Sequence, residues 1–208
     1  MIDPTPEADP VAAPDGAAYV RLAQAGDLDA FNAIVDFHQR LVFNLCLRML
    51  GSPAAAEDAA QDAFLSAWRN IRSFRGASLR AWLLRIAANS CTDELRRRAR
   101  RPVGSLDAPP PGEDVPIEVA DPGAGPEAEA LRREQRRTVQ AALLRLPHDQ
   151  RLAVVMCDVQ GFAYEEIAEA MRTSVGTVKS RIARGREKLR RDLLKAGEHP
   201  AGWERHTP

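Results

Sequence analysis

The segment from Tyr164 to Leu194, YEEIAEAMRTSVGTVKSRIARGREKLRRDLL, constrains this chain more than any other. Its apolar residues Ile167, Ala168, Met171, Val175, Val178, Ile182 and Leu189 recur at spacings of one, three, four and seven, which gives each of two helices a buried face. Thr173, Ser174, Gly176 and Thr177 between them supply a turn and an N-cap. A short helix, a tight turn and a longer basic helix is the layout of a helix-turn-helix. The outer face of the second helix carries Thr177, Lys179, Ser180, Arg181, Arg184 and Arg186, a set able to reach guanine edges and phosphates. A charge run alone would favour a solvated amphipathic helix; the capped turn ahead of it favours a nucleic-acid reader.

A formal net charge of +0 argues against nucleic acid only if charge is spread evenly, and it is not. Arg96, Arg97, Arg98, Arg100 and Arg101 form one basic block and Lys179 to Arg191 another, while residues 102–130 hold seven acids and no Lys or Arg. Local patches decide phosphate contact. Hydrophobic residues at 45% permit packed cores, and aromatics at 5% with abundant Ala, Leu and Arg favour helices over sheets. Cys46, Cys91 and Cys157 are isolated in sequence and fit reduced thiols in a cytoplasmic protein. The four histidines lack metal-ligand spacing, and neither a signal peptide nor a membrane span is read.

The pattern predicts an all-α chain with two small helical domains. Residues 1–16, rich in Pro, Ala and Asp, read as a disordered tail; residues 17–101 as a first domain; residues 102–126, with Pro at seven positions, as a flexible acidic linker; residues 127–195 as a second domain; and residues 196–208 as a polar tail. Ser52-Pro53 marks an N-cap and first helical position, opening a helix to about Ile71; another helix runs from Leu79 to Arg100. In the second domain, helices are expected over roughly 127–145, 149–159, 164–171 and 175–194.

Asp58, Gln61 and Asp62 share one helical face, with Phe64 and Trp68 beside it, a combination suited to docking a basic partner helix or to simple solvation. The helix LRAWLLRIAANSCTDELRRRARR sets an apolar face, including Trp82, Leu83 and Ile86, against Arg80, Arg85, Asn89, Asp93, Arg96 and Arg97, side chains that suit base edges or a displaced strand. Trp82 by itself reads as core.

In order, EDAAQDAFLSAWRNIRSFRG, ASLRAWLLRIAANSCTDELRRR, a Pro-rich acidic linker and LPHDQRLAVVMCDVQGFAYEEIAEAMRTSVGTVKSRIARGREKLRRDL resemble the bacterial extracytoplasmic-function (ECF) sigma factors of the sigma-70 family. The resemblance spans nearly all of Tyr19 to Leu194. It implies a region two bundle and a region four helix-turn-helix, and an RNA polymerase specificity subunit rather than an enzyme. Its implied partners are RNA polymerase core enzyme, promoter DNA and an anti-sigma factor, with no cofactor, metal or small-molecule substrate and no insertion into a membrane. Asp58, Gln61 and Asp62, with Phe64 and Trp68, match the core-binding motif. The loop from Phe74 to Ser78 matches the one that captures a flipped base of the −10 element, and Arg80, Arg85, Asn89, Asp93, Arg96 and Arg97 match the helix that reads it. Thr177, Lys179, Ser180, Arg181, Ala183, Arg184 and Arg186 would face the −35 major groove. The implied regulon is one of stress or envelope response.

Three departures stand out. The loop FRGASLRAWL is one residue shorter than in many relatives, Leu79 replaces a common Phe, and Met171-Arg172 replaces a common Leu-Gly. If position 172 takes a positive φ, Arg costs on the order of 1 kcal/mol relative to Gly. The linker has a suitable reach. Two elements about two and a half DNA turns apart lie about 85 Å from each other, and residues 102–126 stretch to about 80 Å. A helix-turn-helix regulator acting on operators is the main alternative. A nucleic-acid enzyme is disfavoured because no triad, metal cluster or phosphate loop is visible.

Overall fold

The computed structural model describes residues 16–76, 78–100 and 126–197, with side chains of the last segment from Ala130 onward. The expected linker therefore lies outside the described residues except for Pro126, and both expected tails lie outside them except for Gly16 and residues 196 and 197. The described residues are helical throughout their regular structure and form two bundles, as the sequence predicts.

The N-terminal bundle holds α1 (Gly16–Ala25), α2 (Leu28–Leu50), α3 (Pro53–Asn70), a single 3₁₀ turn at Ile71–Ser73, and α4 (Leu79–Arg100). Local chemistry sets the boundaries. Asp27 accepts from the Ala30 N–H at 3.0 Å to start α2. Gly51 ends it at φ 73°, donating its N–H to Leu47 at 2.8 Å. Ser52 caps α3 with Pro53 in its first turn. The Ser78 hydroxyl accepts from the Ala81 N–H at 3.2 Å to start α4. Helix α3 buries Ala55, Ala56, Ala59, Ala60, Ala63 and Ala67, a face without bulk that seats it closely on α2 and α4. Leu45, Leu47, Met49, Leu83 and Leu84 fill the core between them.

The C-terminal bundle holds α5 (Pro126–Leu144), α6 (His148–Val154), a π-helical turn at Val155–Val159, α7 (Tyr164–Ala170) and α8 (Val175–Lys195). The sequence predicts one regular helix through Val159. The structure instead widens after Val154, with the Gln160 N–H donating to Val155 at 3.0 Å, five residues back. Ser174 caps α8 by accepting from Thr177 at 3.1 Å. Helices α6 and α8 cross at Gly185, where a Cβ would sit 2.6 Å from Val154 Cγ2 and 3.3 Å from the Gln150 carbonyl.

The two bundles pack against each other. Gln140 on α5, 1% exposed, donates to the carbonyls of Leu47 and Arg48 (both 3.3 Å) and accepts from the Arg48 guanidinium (3.0 Å). Arg151 on α6, 7% exposed, donates to Met49, to Leu144 (2.7 Å) and to Leu146 (3.1 Å). Both residues thus serve carbonyls at the C-terminal end of α2, where a helix end needs donors and favours a cation. Leu144 lies over Gly51 so closely that a Cβ there would come 2.5 Å from its Cδ1.

Candidate nucleic-acid and protein interfaces

Three surfaces carry the residues singled out in the sequence. The first is an apolar groove between α2 and α3 of about 880 Å³. Leu28, Phe31, Val35, Phe43, Phe64, Leu65 and Trp68 line it, and Asn32, Gln39, Arg40, Glu57, Asp58 and Gln61 complete its walls. Leu28 and Leu65 are 55% and 49% exposed, a large apolar display for the surface of a folded chain. Trp68 leans on Phe31 with ring centroids 5.0 Å apart. Asp58, Gln61 and Asp62 are all exposed on α3. The structure brings Asp58 and Gln61 to the groove with Phe64 and Trp68, whereas Asp62 is not among its lining residues.

The second surface surrounds the start of α4. Phe74, Arg75, Gly76, Ser78, Ala81, Trp82 and Arg85 line a small cleft of about 140 Å³. Phe74 is 7% exposed and packs on the half-buried Trp82, ring centroids 5.3 Å apart. Phe74 thus lines the cleft with its ring supported by Trp82, a pairing favourable for two aromatic side chains. Trp82, expected as core, is shared between the core and this cleft. Further along α4, Asn89, Asp93, Arg96 and Arg97 are exposed. Arg97 and Arg98 both hold Glu94, at 2.6 and 2.8 Å, and Arg96 approaches Asp93 at 3.4 Å. Burial raises the Glu94 pKa, but the Arg98 and Arg97 hydrogen bonds outweigh it, so the carboxyl ionises more readily than usual. Such exposed pairs are weak, and phosphates can compete for the same guanidiniums.

The third surface is the outer face of α8. Lys179, Ala183 and Arg184 are exposed, Thr177 and Ser180 half-buried. Arg184 makes no ion pair or hydrogen bond with any described residue. Lys179 lies 5.9 Å from the Tyr164 ring centroid. Two expected readers are engaged elsewhere: Arg181 pairs with Asp149 at 2.5 Å, and Arg186 grips Asp158 through two nitrogens. Their stems fall between the outer face and the α6 contact, so the nearest carboxylates claim them.

Both bundles match known families. The family model "Sigma-70 region 2" matches residues 34–101, and "Sigma-70, region 4" matches residues 136–189. The chain is 38% identical over 178 residues to the ECF RNA polymerase sigma factor SigW of Bacillus subtilis, spanning 84% of this chain and 94% of that protein. It is 41% identical over 170 residues to the ECF RNA polymerase sigma factor SigM of Mycobacterium tuberculosis, spanning 81% and 80%. The chain belongs to the ECF sigma factors of the sigma-70 family. Among solved structures, this sigma factor is similar to RpoE of Bartonella quintana in complex with the anti-sigma factor NepR (TM-score 0.61, 26% identity, 80% of this chain and 98% of that one). It is equally similar to CnrH in complex with the cytosolic domain of CnrY (TM-score 0.61, 26% identity, 92% and 99%). The α2–α3 groove and the start of α4 thus lie in region two of the sigma factor, Glu169 and Ala170 of region four complete the cleft beside it, and α8 is the second helix of the region four helix-turn-helix.

Sequence reading missed several residues of this sigma factor. Gln140 and Arg151 carry no motif; only their full burial distinguishes them from ordinary surface polar residues. Cys46 and Cys91, 45 positions apart, are both buried inside region two, and the neighbouring Cys91 thiol together with burial pushes the Cys46 thiol far up. No helix among the described residues is long and apolar enough to cross a membrane.

Proposed function

We infer that this ECF sigma factor directs RNA polymerase to promoters through its three surfaces. The α2–α3 groove docks a helical element of core polymerase, with Phe64 and Trp68 as apolar anchors and Asp58, Gln61 and Asp62 offering acceptors to basic partners. The cleft at the start of α4 and the face holding Arg80, Arg85, Asn89, Asp93, Arg96 and Arg97 take the melted −10 element. On α8, Arg184, Lys179, Ser180 and Thr177 read the −35 major groove. The protein acts in the cytoplasm as a non-enzymatic specificity subunit for stress or envelope-response genes.

One observation carries this reading. An exposed apolar groove edged by Asp58 and Gln61 stands in the same chain as an exposed Arg184, unpaired among the described residues, on a recognition helix. A repressor needs the second feature but has no use for the first. The likeness to RpoE, solved with an anti-sigma factor, supports control of this chain by such a partner, covering the groove and the DNA faces.

The test is run-off transcription with purified core polymerase and fragmented genomic DNA, with the transcript starts sequenced. Starts that share two upstream elements support the reading. No start above the level of core alone refutes it, and DNA binding without initiation would mark an operator-binding regulator.

A further inference from the structure

The loop that leads into the α4 cleft is held from α1, a helix outside both family matches. Gln24 stands half-buried in the last turn of α1, beside Ala23, which is 1% exposed and seats that helix on the bundle. Its side-chain amide reaches two acceptors: Nε2 donates to the Ile71 carbonyl at 3.1 Å and to the Phe74 carbonyl at 3.0 Å. These carbonyls bracket the 3₁₀ turn at Ile71–Ser73 and lie 47 and 50 positions further along the chain. Other polar groups of the loop are answered within the loop. Arg75 donates to the Arg72 carbonyl at 2.6 Å and to the Phe74 carbonyl at 2.8 Å. The Ser73 hydroxyl donates to Asn70 at 2.7 Å, and the Phe74 N–H donates to Ile71 at 3.0 Å. Gln24 adds what these local bonds cannot, a fixed point on another element. With the Phe74 carbonyl pinned, the Phe74 ring keeps its place on Trp82, centroids 5.3 Å apart, and both residues line the cleft.

We propose, on the reading of this cleft as the −10 site, that Gln24 is a positioning residue for −10 recognition: its amide bridges the Ile71 and Phe74 carbonyls, fixes the loop that shapes the cleft, and so sharpens the choice of base from a helix away from it. A loop already held in its binding shape gives up little entropy when a nucleotide enters, and a pocket of fixed outline rejects a base of another outline. Without the bridge, the Ile71 carbonyl still accepts from Phe74 and the Phe74 carbonyl from Arg75, so neither is orphaned and the bundle does not depend on Gln24. The loop, released from α1, then adjusts to whichever base arrives, and discrimination falls. A primary amide suits this task because its two N–H groups diverge toward two acceptors. A Glu carboxylate has nearly the same shape but no donor at neutral pH, and it would repel both carbonyls.

The test uses the full chain with core polymerase and bubble templates of the promoter mapped by run-off transcription, each with one −10 or one −35 base changed. Wild type is compared with Gln24→Ala, Gln24→Glu and Gln24→Lys, the last keeping a donor within reach of both carbonyls. Wild type is expected to lose initiation about tenfold when the base that enters the cleft is changed. Gln24→Ala and Gln24→Glu should reduce that ratio to about twofold, with the −35 ratios and competition for core at wild-type values. Gln24→Lys should recover most of the lost ratio. A Gln24→Glu protein that discriminates as sharply as wild type overturns the proposal. So does a fall of the −10 and −35 ratios together, which marks a general defect of the fold, or a Gln24→Lys ratio no better than that of Gln24→Ala, which removes the donors from the account. A wild type indifferent to every −10 base yet sensitive at −35 would sink the reading of the cleft itself, and the proposal with it.

Discussion

Asp158 and Arg186 form a two-pronged ion pair, Arg186 Nε to Asp158 Oδ2 at 3.1 Å and the terminal nitrogen to Oδ1 at 2.5 Å, and so tie α8 to the π-helical turn. The Arg186 and Asp158 side chains keep 35% and 22% of their exposure, respectively, so solvent screens the pair in part. Asp158→Ala and Arg186→Ala should each destabilise the protein by about 1 kcal/mol, and a double-mutant cycle by urea unfolding should couple them. Neither variant should alter which −35 sequences are preferred. A preference change confined to Arg186→Ala would return Arg186 to the DNA face.

Arg184 has no such partner among the described residues. Arg184→Ala should cost about 1–3 kcal/mol at one promoter position and relax the preference there. Arg190, exposed and loosely placed near Glu187 at 3.5 Å, is expected to act on phosphate: Arg190→Ala should weaken all sequences alike and lower the salt slope by about 1. Competition binding across a library randomised at the −35 element distinguishes the two patterns.

Charge reversal at the groove tests the polymerase surface. Asp58 is exposed, so Asp58→Lys should leave the melting temperature unchanged while weakening competition for core polymerase at least tenfold, or about 1.4 kcal/mol. Asp62→Lys, one turn on and off the groove wall, should weaken it less. Equal core binding by wild type and both variants would remove this face from the interface.

Arg172 sits at φ 50°, the conformation that is costly for Arg. It is the left-handed residue closing α7: its N–H donates to Glu169 at 3.2 Å, and the Thr173 N–H reaches back to Ala168 at 2.9 Å. Arg172→Gly relieves the backbone strain, offset in part by the freer unfolded chain, and should stabilise by about 0.5–1 kcal/mol in thermal or urea unfolding. A loss of stability would mean the arginine side chain contributes more than its backbone costs.

Cys157 is half-buried, and burial, followed by the Asp158 charge, pushes its thiol up to about 11. The reactive thiolate is therefore scarce at neutral pH and grows only as pH rises toward that value. Iodoacetamide at pH 8 should label native Cys157 on the order of a hundredfold more slowly than an unshifted exposed thiol. Asp158→Asn should speed it.

Much of this protein is written locally. The caps Asp27, Ser52 and Ser174 start their helices because each side chain meets an N–H three residues on, and periodicity places Ile167, Val178, Ile182 and Leu189 inside. Both are short-range relations that a sequence displays directly. The polar faces of α3, α4 and α8 follow from the same periodicity. Which polar residue on a face is available is a different question, because it depends on partners distant in the chain. Arg184 and Arg186 look alike in sequence; only the approach of Asp158, 28 positions away, separates a free guanidinium from a held one. Gln140 and Arg151 read as ordinary surface residues until the end of α2 presents carbonyls to them. Residue order was enough for the helices, their buried faces and the family. Which charges are spent inside the fold, and that region four rests on region two, was settled only in three dimensions, because hydrogen bonds and ion pairs are satisfied by whatever is nearest in space.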